Sequence, residues 1–121
     1  MKFFECSHCG NVVYLMKDAG VPVVCCGEKM AELVPNTVGA NEKHTPEVQQ
    51  DGRNVTVRVS SVEHPMVEEH YIEWILLELK NGFLVRNLKP GEAPLAQFVL
   101  PEGEEVVRAY DYCNLHKLWQ N

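Results

Sequence analysis

His70-Tyr71-Ile72-Glu73-Trp74-Ile75-Leu76-Leu77-Glu78-Leu79-Lys80-Asn81-Gly82-Phe83-Leu84-Val85-Arg86-Asn87-Leu88 is the stretch on which the fold turns. Its first ten residues, 70–79, form an apolar run that periodicity alone would also allow as a buried helix. The dipeptide Asn81-Gly82 points to a strand, because it joins hairpin strands through a type I′ turn. Residues 83–88 then supply the partner strand. Upstream, Val55, Val57 and Val59 alternate with Thr56, Arg58 and Ser60, as in a strand buried on one face. Lys89-Pro90-Gly91 and Pro101-Glu102-Gly103 set off two more strands at 95–100 and 105–112. Near the start, 2–5, 11–16 and 21–24 read as short strands, the last two separated by the turn Asp18-Ala19-Gly20. Residues 35–46 carry polar side chains, Gly39 and no periodicity, and are expected to form a linker and loop. Short strands with regular turn signals and no helix predict an all-β chain built around an antiparallel sandwich. No internal repeat or low-complexity tract interrupts it.

Length and charge narrow the function. A chain of 121 residues allows one modest domain, or one domain plus a small metal-stapled module. Eleven Lys and Arg against 17 Asp and Glu give a net charge of −6, which argues against nucleic acid as a partner because phosphate binding needs clustered basic residues. No apolar run approaches a membrane span, and no secretory leader opens the chain. Five cysteines in that setting indicate a reducing compartment, the cytoplasm, where thiolates stay free for metal.

Four of those cysteines fall in the first 26 residues: Cys6-Ser7-His8-Cys9, then the adjacent pair Cys25-Cys26. Two cysteines separated by two residues can aim both sulfurs at one ion across a tight turn. With a second cysteine set downstream they read as a tetrahedral four-thiolate site for zinc or iron. Neighbouring residues on a strand point to opposite faces, so Cys25 and Cys26 need a sharp backbone turn between them, which Gly27 suits. Two structural disulfides in a secreted mini-domain are the competing reading, and would leave the fifth cysteine over. The first 35 residues are too few for a sizeable core, so a metal is needed to hold them. His44, His64, His70 and His116 lie in the rest of the chain with the one remaining thiol, Cys113. Nitrogen-rich ligation with a single sulfur suits redox-active iron or copper. His64 precedes Pro65, and Thr45 alone separates His44 from Pro46, so both are expected in loops or at strand ends, where site residues gather on a rigid scaffold.

These motifs together resemble a known family. Cys6, Cys9, Cys25 and Cys26 match the desulforedoxin pattern over about the first 35 residues. The remainder is similar to the superoxide reductase domain through Glu42-Lys43-His44-Thr45-Pro46, His64-Pro65-Met66, Glu69-His70-Tyr71-Ile72 with Trp74, and Cys113-Asn114-Leu115-His116. The resemblance is to the two-iron desulfoferrodoxins and covers nearly the whole chain. It implies a desulforedoxin-like module at 1–36 and an immunoglobulin-like β-sandwich at 37–121. It also implies two non-haem irons per chain, a homodimer and a rubredoxin-like electron donor. One iron would be held by Cys6, Cys9, Cys25 and Cys26. The other would be held by His44, His64, His70 and His116 in a plane, with Cys113 on the axis and the opposite position open or loosely occupied.

The chemistry implied is one-electron reduction of superoxide to hydrogen peroxide. Four neutral nitrogens and one thiolate leave ferrous iron with net positive charge, which favours an anionic substrate. Lys43 and Glu42 would otherwise read as a solvated pair. By resemblance, Lys43 draws the anion in and Glu42 covers the open position of the oxidised iron. His8 fits no ligand position, and Tyr71, Ile72 and Trp74 are expected in the core or the site wall. Met66 is placed near the iron without being a ligand. Electron relay and a structural role both suit a coordinatively filled four-cysteine centre. Rival functions are a one-metal rubredoxin-like carrier, a zinc-stabilised binding module, and a metal-dependent hydrolase, whose site usually includes carboxylates.

Overall fold

The computed structural model describes residues 1–39 and 41–121, and it divides into two compact units, Met1–Val34 and Pro35–Asn121. In the first unit, β1 (Phe3–Glu5) lies between β2 (Val12–Tyr14) and β5 (Ala31–Glu32) in a small antiparallel sheet. A separate hairpin pairs β3 (Val24–Cys25) with β4 (Glu28–Lys29). Of the expected strand over 21–24, only Val24 is extended and paired. Few side chains here are buried; Phe3, Cys6 and Met30 are the ones that are. That inventory is too small for a hydrophobic core to hold the unit alone.

The second unit is a sandwich of seven strands. After a one-turn helix, α1 (Asn41–His44), come β6 (Pro46–Asp51), β7 (Asn54–Val59), β8 (Ile72–Leu79), β9 (Gly82–Asn87), β10 (Leu95–Val99), β11 (Val106–Cys113) and β12 (Lys117–Gln120). They form one sheet in the order β10-β7-β6 and another in the order β12-β11-β8-β9, all pairings antiparallel. Between the sheets, Val55, Val57 and Val59 of β7 meet Ile72, Ile75, Leu77 and Leu79 of β8 and Ala109 and Cys113 of β11. The alternating valines thus fill the core face of β7, as the period-two pattern dictates. No helix among the described residues is long and apolar enough to cross a membrane.

Three local expectations are corrected. The hairpin at 70–88 forms, but Leu79 pairs with Gly82, so the loop is Lys80-Asn81. Neither loop residue has positive φ, and the turn is therefore not type I′. The buried face of β8 sets the register through Leu77 and Leu79, and the Lys80 amide still donates to the Glu105 carbonyl at 2.9 Å. Second, 35–46 is not all loop, since α1 occupies Asn41–His44 and closes with the Thr45 amide on the Asn41 carbonyl at 3.1 Å. Position 40, within that stretch, lies outside the described residues. Third, β6 and β12 arise where the sequence reading placed no strand. β6 is joined to β7 by Gly52-Arg53, with only Gly52 of the two at positive φ, the type II′ arrangement.

Candidate metal centres

In the first unit the two cysteine pairs meet. Cys6 and Cys9 flank a turn in which the Gly10 amide donates to the Cys6 carbonyl at 3.0 Å and the Cys9 amide points at the Cys6 sulfur at 3.5 Å. Opposite them, Cys25 pairs with Glu28, leaving Cys26-Gly27 as a two-residue hairpin loop. Both have positive φ, 52° and 77°, as a type I′ turn requires. This is the sharp backbone turn that an adjacent pair needs, and it brings both thiols to one side. All four sulfurs lie within 4.8 Å of one another, and none is in a disulfide. Four thiols so close cannot all ionise without a cation. Amide hydrogen bonds from Cys9 and His8 lower Cys6 to about 6. Hydrogen bonding to Cys9, Cys6 and Cys25 pushes Cys26 up to about 12. A divalent or trivalent metal resolves that conflict by taking all four as thiolates. Exposed His8 is not among them, and its Nε2 pairs with Glu28 at 3.0 Å.

The second unit gathers the histidines. His44 ends α1, His64 lies in the loop after β7, and His70 stands just before β8. Cys113 closes β11, and His116 lies in the turn to β12. Centroid distances are 4.8 Å for His44–His64, 4.6 Å for His64–His70, 5.2 Å for His70–His116 and 4.7 Å for His116–His44. Each neighbouring pair is edge-on, at 67°, 80°, 73° and 76° respectively. The cross-ring pair His44–His70 is 6.5 Å apart, longer than any edge, as the diagonal of a square must be. The four imidazoles therefore surround one point. Ligand atoms of His44, His64, His70 and Cys113 lie within 4.8 Å of one another. His116 joins through Nδ1, 3.0 Å from His44 Nε2 and 3.9 Å from Cys113 Sγ.

The donor set fits a metal. His64 Nε2 and His70 Nε2 are buried without a protein hydrogen-bond partner among the described residues. Such orphaned nitrogens cost free energy unless something else takes the lone pair. The other nitrogen of His64 lies 2.7 Å from the Pro65 carbonyl, which fixes it as the protonated one and leaves Nε2 as a ligand. Burial, followed by neighbouring imidazoles, lowers His64 to about 4, so the ring is neutral at pH 7. Burial also lowers His70, with further contributions from His116 and Lys43. Cys113 is raised chiefly by burial, a cost that a bound cation would offset. Asp111, fully buried with neither oxygen partnered among the described residues, is also held well above the ordinary carboxylate range by burial.

Glu42 and Lys43 are exposed on α1, beside buried His44. Ile72 is in the core, while Trp74 stacks on Tyr112 at 5.5 Å and 6°, on the face of the sheet away from Ile72 and Ile75. Met66 accepts a hydrogen bond from the Ile72 amide at its sulfur, 3.4 Å away. Two supporting residues escape the sequence reading. Trp119, fully buried, stacks on His44 at 4.9 Å and 17°, and its indole N–H donates to the His116 carbonyl at 3.0 Å. Asn114 ties down both sides of His70: its side chain accepts from the Tyr71 amide at 2.9 Å and donates to the Glu69 carbonyl at 3.0 Å. The adjacency of Asn114 to Cys113 is the only sequence signal for it. Trp119 has none beyond its place three residues after His116.

The chain is similar to known proteins over nearly its whole length. The sequence profile of the desulfoferrodoxin family matches residues 36–121. The chain is 42% identical over 120 residues to the desulfoferrodoxin of Nitratidesulfovibrio vulgaris, covering 98% of this chain and 94% of that one. The crystal structure of the superoxide reductase from Treponema pallidum superposes with a TM-score of 0.83 at 36% identity, covering 99% of this chain and 97% of that one. A one-iron superoxide reductase from Giardia intestinalis covers 66% of this chain and 95% of its own, with a TM-score of 0.55 and 35% identity.

If Asn114 orients His70 as its hydrogen bonds indicate, Asn114→Ala should weaken metal binding at the histidine site roughly 10- to 100-fold. Competition with a chelator would measure it, with metal in the four-cysteine site as the internal reference. Equal retention of metal by variant and wild type would remove Asn114 from the support of the site.

Proposed function

Because the chain belongs to the desulfoferrodoxin family, we propose that it is a superoxide reductase acting at the site formed by His44, His64, His70, His116 and Cys113. The closed ring of edge-on imidazoles beside one buried thiol is the observation that supports this best. A nitrogen-rich set with a single soft ligand and no carboxylate among the gathered donors suits redox iron better than a hydrolytic metal. Iron bound there would supply the single electron, and with it superoxide and two protons give hydrogen peroxide. The division of labour follows the chain, with the four-cysteine iron in 1–36 and the reductase site in 37–121.

The chain's own residues do the rest. His64 and His70 stay neutral, so positive charge at the site comes from the metal and from nearby cations. Lys43, one residue before His44 and exposed, has its charge felt at His70. In a chain of net charge −6 it is assigned the attraction of a small anion. Glu42, exposed two residues before His44, would supply a carboxylate to shield a metal held at the site between turnovers. Burial of Cys113 and of the His44 and His64 rings keeps bulk water from competing for the donors. Cys6, Cys9, Cys25 and Cys26 leave no position for substrate, so their iron is assigned to electron transfer or to holding the first unit together. A homodimer reduced by a rubredoxin-like donor, which rests on the family resemblance, and a cytoplasmic setting, which rests on the free cysteines, complete the reading.

Cys113→Ser should abolish superoxide reduction while the four-cysteine absorbance persists. Near wild-type activity in that variant would reject Cys113 as the thiolate ligand. Lys43→Ala should slow the encounter with superoxide by roughly tenfold and flatten its dependence on ionic strength, without loss of iron. Fast kinetics at low and high salt would show this, and identical rates at both would reduce Lys43 to a solvated charge.

A further inference from the structure

Gly39 lies in the segment leading to α1, with φ of 101°. A methyl group on its Cα would sit 2.8 Å from Cγ of His116 and 3.0 Å from both Cβ and Cδ2. Non-bonded carbons settle at about 3.5–4.0 Å, so no side chain fits between this backbone and the imidazole. Gly10, Gly20, Gly27, Gly52, Gly91 and Gly103 also have positive φ, yet none has an atom within 4 Å of the corresponding position. Among these glycines, the close approach belongs to position 39 alone.

Other groups also bear on where the His116 ring sits. Its Nδ1 is 3.0 Å from His44 Nε2, and His70 stands edge-on at 5.2 Å. Its own backbone carbonyl is held by the Trp119 indole at 3.0 Å. We propose that Gly39 is a positioning residue for His116. Its bare Cα lets the segment ahead of Glu42 and Lys43 close on the imidazole and hold it edge-on to His44 and His70. The inference rests on His116 being a ligand of the metal site. Any L side chain at 39 forces the ring to tilt or displaces the segment.

The test compares iron-loaded wild type with Gly39→Ala, Gly103→Ala and His116→Ala. Gly103 has φ of 83° and open space, so its variant carries the backbone penalty without the contact. Visible absorption and electron paramagnetic resonance of the oxidised protein report the histidine site. The four-cysteine absorbance serves as internal reference, and far-UV circular dichroism reports folding. Expected is a shifted or weakened thiolate charge-transfer band from the Cys113 site in Gly39→Ala, unchanged in Gly103→Ala, with four-cysteine absorbance alike in both. An unaltered band in Gly39→Ala overturns the proposal, as does an equal change in Gly103→Ala, which would make backbone strain the cause. A Gly39→Ala chain that fails to fold while Gly103→Ala folds assigns Gly39 to folding and likewise overturns it. A wild-type band in His116→Ala would instead remove His116 from the metal site, so the underlying assignment would be what failed.

Discussion

Buried ring nitrogens with no protein partner among the described residues set the terms for the whole second unit. Each such group costs about 1–3 kcal/mol when left unpartnered, and both His64 and His70 contribute one. A sandwich tolerates that cost at one end because its two sheets hold the ends of α1, β8 and β11 in fixed relation, whatever the turns between them do. The Pro65 carbonyl occupies the outward nitrogen of His64, and Asn114 holds the backbone on both sides of His70, so that both rings are oriented. The inward nitrogens are left for a metal, and the fold is the device that keeps them pointed there.

The first unit meets the same constraint by different means. It lacks the apolar inventory for a core, and its ligands come from two tight turns instead of the ends of long strands. The turn at Cys26-Gly27 converts an adjacent pair, which on a strand would face opposite ways, into two donors on one side. Type I′ chemistry therefore appears in this molecule at a metal-binding hairpin and not at Asn81-Gly82, where the dipeptide suggested it. In the β8–β9 hairpin the buried faces of Leu77 and Leu79 fix the register, and the loop falls one residue earlier. Tertiary burial outweighed local turn preference.

Much of this is legible in the sequence. The valine alternation at 55–59 and the apolar run at 70–79 specify strands because packing between sheets imposes a period of two or continuous burial. The four N-terminal cysteines are legible because their spacing is itself metal chemistry, while the scattered histidines and Cys113 are legible as a set through the family resemblance. Harder to read is β6, whose Pro46-Glu47-Val48-Gln49-Gln50-Asp51 exposes most of its side chains and so carries little hydrophobic pattern. Gly52-Arg53 is its one local signal. Trp119 and Gly39 are harder still. One is a long-range stack on His44 and the other a close approach to His116, and neither leaves a periodic or compositional trace.

Superoxide reduction and superoxide dismutation place the same anion at the same kind of metal and differ in what leaves. The most direct measurement mixes fully pre-reduced protein with a limiting pulse of superoxide and follows hydrogen peroxide, dioxygen and oxidation of the histidine-site iron together. A reductase gives one hydrogen peroxide and one oxidised site for each superoxide consumed, with no dioxygen released. Dioxygen evolved in proportion to superoxide consumed, with the protein left reduced, would contradict the account.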